Sequence, residues 1–294
     1  MSGSKSSIEY MQDKNSQLHL LMCAPEFFEV TYVINQWMQP QTWQDNPIRF
    51  KQKAVDEWQN LHKIFKSLGV AIELMLPRRN VPDMVFTANG AVVLNKRALL
   101  ARFRYKERQP EEKFFAEYFE SLKRSGIIET VDLLPENLFQ EGAGDCIWDS
   151  QRQIFWAGYG PRSTKDAAKY IESYFGKQVI ALELLSSRFY HLDLSLSPLK
   201  YGDVLYYPGA FTESSQKIIK ERVPANQLIS LDDEDASNFV CNLVNIDNKI
   251  VISHCSEKLK KILQERGYTV IESPVDTFTL AGGAVCCLTL KLNL

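Results

Sequence analysis

Three kinds of side chain in this sequence could do chemistry together: a vicinal thiol pair, Cys286-Cys287, a histidine, His191, and acids that recur beside glycines or inside short apolar runs. A thiol, an imidazole and a carboxylate supply a nucleophile, an acid/base and an orienting or charge-balancing group. A free cysteine is mostly thiol at neutral pH and needs a positive neighbour to become a thiolate. The neighbours on offer, Asp83, Glu141, Asp145 and Asp193, are all acidic. Such a set suits a cationic substrate, whose own charge would favour the thiolate, better than the peptide carbonyl of a thiol protease. Glu141 and Asp145 flank glycines in Glu141-Gly-Ala-Gly-Asp145, where bare backbone permits close approach of a ligand. Read as a strand, His191-Leu-Asp193 puts Asp193 on the same face as His191, and alternation turns Cys286 and Cys287 to opposite faces. Each residue also has a plainer reading, as a core histidine, a turn-forming carboxylate or a packing thiol.

Position in a repeat lifts the chemical reading above the plain one. The repeating unit is a pair of short apolar strands joined by a polar turn, an amphipathic helix, and one further strand. The first copy has strands at 84–89, 91–94 and 98–103, a helix near 110–124 and a strand at 127–133. The second runs 144–148 and 153–157, a helix near 163–176, and 178–182. The third has 191–197, 203–207 and a helix near 213–222; the fourth has 240–246, 249–253, a helix near 256–266 and 268–271. The fifth is split between the ends of the chain: 283–292, then 18–23, a helix near 47–68, and 71–74. A period of roughly 45–58 residues lies in the range of radial repeats, and hairpins alternating with helices put strands at the centre and helices outside. The expected fold is therefore α/β, a five-fold pseudo-symmetric propeller with a central cleft. An open α/β sheet explains the alternation, but not why Asp83 and Asn89, Glu141 and Asp145, His191 and Asp193, Asn238 and Asn242, then Cys287 recur at one place in each unit.

Composition narrows the class. Of 294 residues 45% are hydrophobic and 24% charged, an ordinary globular balance, and the formal net charge of −2 offers no field for nucleic acid or an acidic membrane. No apolar run approaches the roughly 18 residues of a membrane span. The opening Met1–Ser7 lacks the apolar run of a signal peptide, so residues 1–15 are expected to be a disordered tail ahead of a single domain over 16–294. Six cysteines without an export signal read as reduced thiols, which points to the cytoplasm. Cys23, Cys146 and Cys241 sit in apolar runs as core residues. His254-Cys255 lacks a second pair at zinc spacing, so neither a metal nor another cofactor is expected.

At these residues the sequence resembles the guanidino-group modifying superfamily, the pentein fold, which includes arginine deiminase, dimethylarginine dimethylaminohydrolase, arginine dihydrolase and glycine amidinotransferase. The resemblance spans nearly the whole chain, in order. Pro82-Asp83-Met-Val-Phe-Thr-Ala-Asn89 is similar to the family's first substrate-binding strand, Glu141-Gly-Ala-Gly-Asp145 to its Glu-Gly-Gly-Asp loop, and His191-Leu-Asp193 to its His-x-Asp. Gly282-Gly-Ala-Val-Cys-Cys287-Leu-Thr289 is similar to the terminal Gly-Gly…Cys-x-Ser/Thr, and Thr289 selects Cys287 over Cys286 as the nucleophile. The resemblance implies that Cys287 adds to a guanidinium carbon, that His191 protonates the departing amine and then activates water, and that Glu141 and Asp193 grip the guanidinium. It makes Arg108 and Arg162 candidates for the substrate α-carboxylate and Asp83 for substrate binding. Asn89 stands where deiminases and methylarginine hydrolases usually carry aspartate, and an asparagine can bind a neutral ureido group as donor and acceptor. The arginine dihydrolase branch is similar there and again along Met22-Cys-Ala-Pro-Glu-Phe-Phe-Glu-Val-Thr-Tyr-Val-Ile-Asn35, which brings in Asn35. The implied partner is a small molecule: free arginine, hydrolysed to citrulline and onward to ornithine, ammonia and carbon dioxide, or a methylated arginine. An amidinotransferase or a non-catalytic binding pentein are the remaining alternatives, and homo-oligomerisation is left open.

Overall fold

The computed structural model describes residues 17–294, so the expected tail over 1–15 lies outside the described residues. The described chain forms five separate three-stranded sheets. In each, the first two strands pair antiparallel and the second and third pair parallel. A parallel pair needs a long crossover, and a helix supplies it in every unit. The first unit joins Ala91–Leu94, Arg97–Leu100 and Thr130–Leu133 around helix Glu111–Arg124. The second joins Cys146–Asp149, Ile154–Tyr159 and Val179–Glu183 with helix Lys165–Phe175. The third joins Leu196–Pro198, Val204–Tyr206 and Leu228–Ser230 with Glu213–Arg222, and the fourth Val244–Ile246, Lys249–Ile252 and Thr269–Glu272 with Glu257–Glu265. The fifth closes the chain on itself: Leu290–Lys291 pairs with His19–Cys23, which pairs with Ala71–Met75 across helix Pro47–Ser67.

Local sequence explains these elements. Helix Glu111–Arg124 buries Phe115, Phe119 and Leu122, spaced four and three apart on one face. Ser256 and Thr212 cap their helices by accepting from the backbone N–H of Leu259 and Ser215. Asn95 and Lys96, both at positive φ, make the two-residue hairpin of the first unit. Neighbouring units are stitched in a ring. Ala88 N–H donates to the Cys287 carbonyl, Arg102 bridges Gln140, Leu192 N–H donates to Asp145, the Cys241 thiol donates to the Leu205 carbonyl, and Cys286 N–H donates to the Asn242 carbonyl.

The helices fall where the pattern put them, but the start of each unit does not. Residues 84–89, expected as strand, form two 3-10 turns, Pro82–Val85 and Thr87–Gly90. The 3-10 turns Gly142–Gly144 and Leu192–Leu194 precede their strands in the second and third units, and turns also occupy 239–242 and 285–288. His191 and Asp193 therefore do not share a strand face, and Cys286-Cys287 lies on a turn that enters Leu290–Lys291. The third strand of unit three, Leu228–Ser230, had no counterpart in the pattern. Among the described residues no helix is long and apolar enough to cross a membrane.

Candidate active site

The five entering turns point at one another. Cys287 is buried, with its Sγ 3.3 Å from Asp193 Oδ2 and 3.1 Å from the Asn242 side-chain N–H. Cys286 lines a cavity with Trp148, Asn245, Lys291 and Asp193, a cavity that Cys287 does not line, and both cysteines lie on a turn instead of a strand. His191 Nε2 lies 2.8 Å from Glu141 Oε2, and the same carboxylate oxygen accepts from Arg162 Nη1 at 2.8 Å. Glu141 Oε1 accepts from the backbone N–H of Arg104.

Close approach of these turns depends on two glycines. Gly142 sits at φ +62°, and a Cβ there would lie 2.5 Å from the Asn89 backbone; a Cβ on Gly144 would lie 2.3 Å from Asn89 Nδ2 and 3.2 Å from His191 Nδ1. The bare backbone of Glu141-Gly-Ala-Gly-Asp145 thus admits the neighbouring turns themselves. Asp145 joins the second and third units: Oδ2 accepts from the Ser163 hydroxyl at 2.6 Å, and Oδ1 from Leu192 N–H at 3.0 Å. It fixes the turn that carries His191 and Asp193.

The remaining candidates gather on the first unit and the N-terminal segment. Arg108 forks onto Glu111, with Nε and Nη2 each 2.8 Å from an oxygen, and Nη1 donates to Asn89 Oδ1 at 2.8 Å. Asp83 Oδ2 accepts from the Tyr32 hydroxyl at 2.9 Å and lies 4.0 Å from Arg108 Nε. Arg162 Nη2 donates to the Ile34 carbonyl, and its guanidinium lies over the rings of Tyr105 and Tyr190. Asn35 donates to the Ala281 carbonyl and accepts from Trp37 and Met38 N–H, fastening this segment to the loop before Cys287. Asp83 Oδ1, Asp193 Oδ1 and His191 Nδ1 are buried and have no hydrogen-bond partner among the described residues. Two carboxylate oxygens and an imidazole nitrogen left free suit a ligand that is cationic and donates several hydrogen bonds.

A family model described as eukaryotic N,N dimethylarginine dimethylhydrolase matches residues 25–294. The N(G),N(G)-dimethylarginine dimethylaminohydrolase of Mycobacterium tuberculosis is 31% identical over 92% of this chain and 85% of its own. The chain belongs to the dimethylarginine dimethylaminohydrolase family. It is also 41% identical, over 95% of its length, to the bifunctional arginine dihydrolase/ornithine cyclodeaminase AgrE of Nostoc sp., but spans only 38% of that protein. The crystal structure of the N-terminal domain of ArgZ, an arginine dihydrolase of the cyanobacterial ornithine-ammonia cycle, superposes with a TM-score of 0.87. In that structure a cysteine-to-serine variant is bound to substrate; it covers 94% of this chain and 98% of that one at 41% identity. The five-fold α/β propeller is thus the pentein fold of this family.

Charge in this family member is balanced unevenly. Burial alone would raise the Glu141 carboxyl, but Arg162, His191 and Arg108 hold it well below the usual range. Burial pulls His191 down to about 4 against the support of Glu141, so the ring is neutral near pH 7 and its Nε2–H faces the carboxylate, leaving Nδ1 free. Burial pushes Asp193 up to about 7, with Cys287 and Asn242 opposing, and burial together with the Asp193 charge pushes the Cys287 thiol well up. Burial raises Asp83, with Arg108 and Tyr32 opposing. Nothing in the sequence pointed to Glu111, Tyr190 or Ser163. Asn242 was visible as one of the recurring polar positions but was given no role, and its side chain touches the thiol together with Asp193.

Proposed function

We propose that this chain hydrolyses a guanidinium C–N bond of free arginine through a covalent thiouronium on Cys287. The observation that carries the reading is a buried thiol set against Asp193 in a site whose free oxygens are acidic. The 41% identity to arginine dihydrolases supports it. An arriving guanidinium is gripped by the ionised carboxylates of Asp83 and Asp193 through charge-assisted hydrogen bonds. Its positive charge lowers the cost of the thiolate, and the proton leaving Cys287 is carried to Nδ1 of His191. The thiolate adds to the guanidinium carbon, His191 returns the proton to the departing ammonia, and the adduct collapses to a thiouronium. His191 then takes one proton from water as the oxygen adds, and the C–S bond breaks. The remaining hydroxyl proton passes to the departing sulfur, which releases citrulline and restores the Cys287 thiol, and His191 returns its proton to solvent. Glu141 holds Nε2–H throughout and stabilises the imidazolium formed in each half-reaction.

Arg162 and Arg108 bind the α-carboxylate. Four of the five N–H donors of Arg108 are engaged by Glu111, Asn89 and the Asp83 carbonyl, so it offers one bond unless Glu111 lets go. Asn89, its oxygen held by Arg108, presents Nδ2 to the ureido oxygen of citrulline and retains it for a second hydrolysis to ornithine, ammonia and carbon dioxide. Free thiols at all six cysteines fit action in the cytoplasm. Mass spectrometry of products from arginine tests the reading: ornithine is expected, citrulline alone removes the second step, and no product removes the proposal. Asn89→Asp should shift the product ratio toward citrulline, and an unchanged ratio counts against that role. The family match favours a second reading, dimethylarginine converted to citrulline, and a panel with both substrates decides between them.

A further inference from the structure

We propose that Asn242 is a positioning residue that presents Cys287 and stabilises its thiolate. The inference rests on Cys287 being the nucleophile of the reading above, but its geometry stands alone. Asn242 is fully buried on the entering turn of the fourth unit. Its Oδ1 accepts from Ala284 N–H at 3.2 Å and from Cys287 N–H at 3.1 Å. Two backbone donors on one oxygen fix the orientation of the amide and force Nδ2 toward the sulfur, 3.1 Å away. The Asn242 carbonyl accepts from Cys286 N–H as well, so one residue holds three of the four residues of Ala284-Val-Cys-Cys287 in place.

A thiol sulfur is a weak acceptor and a thiolate a strong one, so the Asn242 N–H contributes most after Cys287 ionises. Among the described residues no cationic side chain is hydrogen-bonded to the sulfur. The titratable groups around it are Asp193, which it contacts, the adjacent Cys286, the Tyr190 hydroxyl and His191, to which the proposed mechanism passes its proton, and Asp193 and Cys286 both resist the thiolate. Asn242 and the Ala284 amide are the neighbours that favour it. The same carboxamide also favours ionised Asp193, so it supports both negative charges that a guanidinium would meet.

The test is the pH dependence of Cys287 alkylation by iodoacetamide, located by fragment mass spectrometry, which needs no substrate. In Asn242→Ala the midpoint should rise by about one pH unit, with roughly tenfold slower labelling near pH 7 and a rate that recovers at alkaline pH. A rate lowered equally at every pH, with the midpoint unmoved, would show that Asn242 only holds the turn, and the proposal would fall. Asn242→Asp keeps the acceptor for both amides but cannot donate to sulfur once ionised. Its midpoint should rise further, and this variant carries the test if Asn242→Ala does not fold. A moved midpoint in a chain that leaves arginine untouched would uphold Asn242 while removing the arginine reading.

Discussion

Replacing Asp193 by asparagine should raise stability and lower activity, and the two effects can be separated by pH. Burial holds the Asp193 carboxyl at about 7 against an ordinary 3.8. Between those values the folded protein keeps a proton that the unfolded chain has released, so stability falls as pH rises and the full cost is present above about 7. From pH 5 to pH 7 the cost grows by about 1.7 units, because the carboxyl is half ionised at pH 7, and at 1.36 kcal/mol per unit that is about 2.3 kcal/mol. His191 works with the opposite sign. Its pKa, lowered to about 4, makes stability rise with pH up to about 6.5, which masks part of the Asp193 effect in the parent protein. The difference between variant and parent cancels that contribution, because both carry His191. Urea unfolding followed by tryptophan fluorescence should show Asp193→Asn gaining roughly 2–3 kcal/mol more over the parent at pH 7 than at pH 5. Turnover of arginine should drop by about a hundredfold or more, since an ionic grip on the guanidinium is lost. An advantage of equal size at both pH values would mean that Asp193 is ionised throughout, and the desolvation argument would be refuted.

Three further substitutions probe the nucleophile and the turns. Cys287→Ser should abolish turnover while Cys286→Ser, whose thiol lines a cavity that Cys287 does not, stays active; the reverse pattern in a steady-state assay would reassign the nucleophile. Gly144→Ala places a methyl 2.3 Å from Asn89 Nδ2 and 3.2 Å from His191 Nδ1. A loss of about tenfold or more in kcat is expected, with a stability cost of roughly 1–3 kcal/mol by thermal unfolding, and normal turnover would show that the turns can part without harm.

The architecture was legible because it is written in periodicity. Five hairpins and their crossover helices each carry their own apolar pattern, and the split fifth unit follows from the same pattern at the two ends of the chain. What the pattern could not distinguish was strand from 3-10 turn at the head of each unit. Met84-Val-Phe and Leu192-Asp-Leu are apolar enough for strands, and only tertiary contact makes them turn. The residues of the site were named from their place in the repeat and from family motifs. Glu111 was missed because it opens a helix rich in glutamates that the sequence does not distinguish, and only its fork with Arg108 marks it.

The turns matter to the chemistry as much as the residues on them. Side chains on the strands alternate between the two faces of each sheet, whereas the turns at the strand entrances set their side chains against the next unit, as Asp145 against Leu192 and Asn242 against Cys287. The turns of three units concentrate Asp83, Glu141, Asp145 and Asp193 in one buried place, an arrangement that would repel itself if left uncompensated. Arg162 neutralises Glu141, Arg108 neutralises Glu111, and Ser163 with the Leu192 amide satisfies Asp145. Asp83 and Asp193 each keep one oxygen without a partner among the described residues. The internal guanidinium groups therefore cancel the charge that the fold needs cancelled, and the acidity that remains is directed at a cation from outside. Binding that cation relieves the cost of burying Asp193 in the same step that makes the Cys287 thiolate accessible. Substrate charge, in this site, is both what is recognised and what activates the nucleophile.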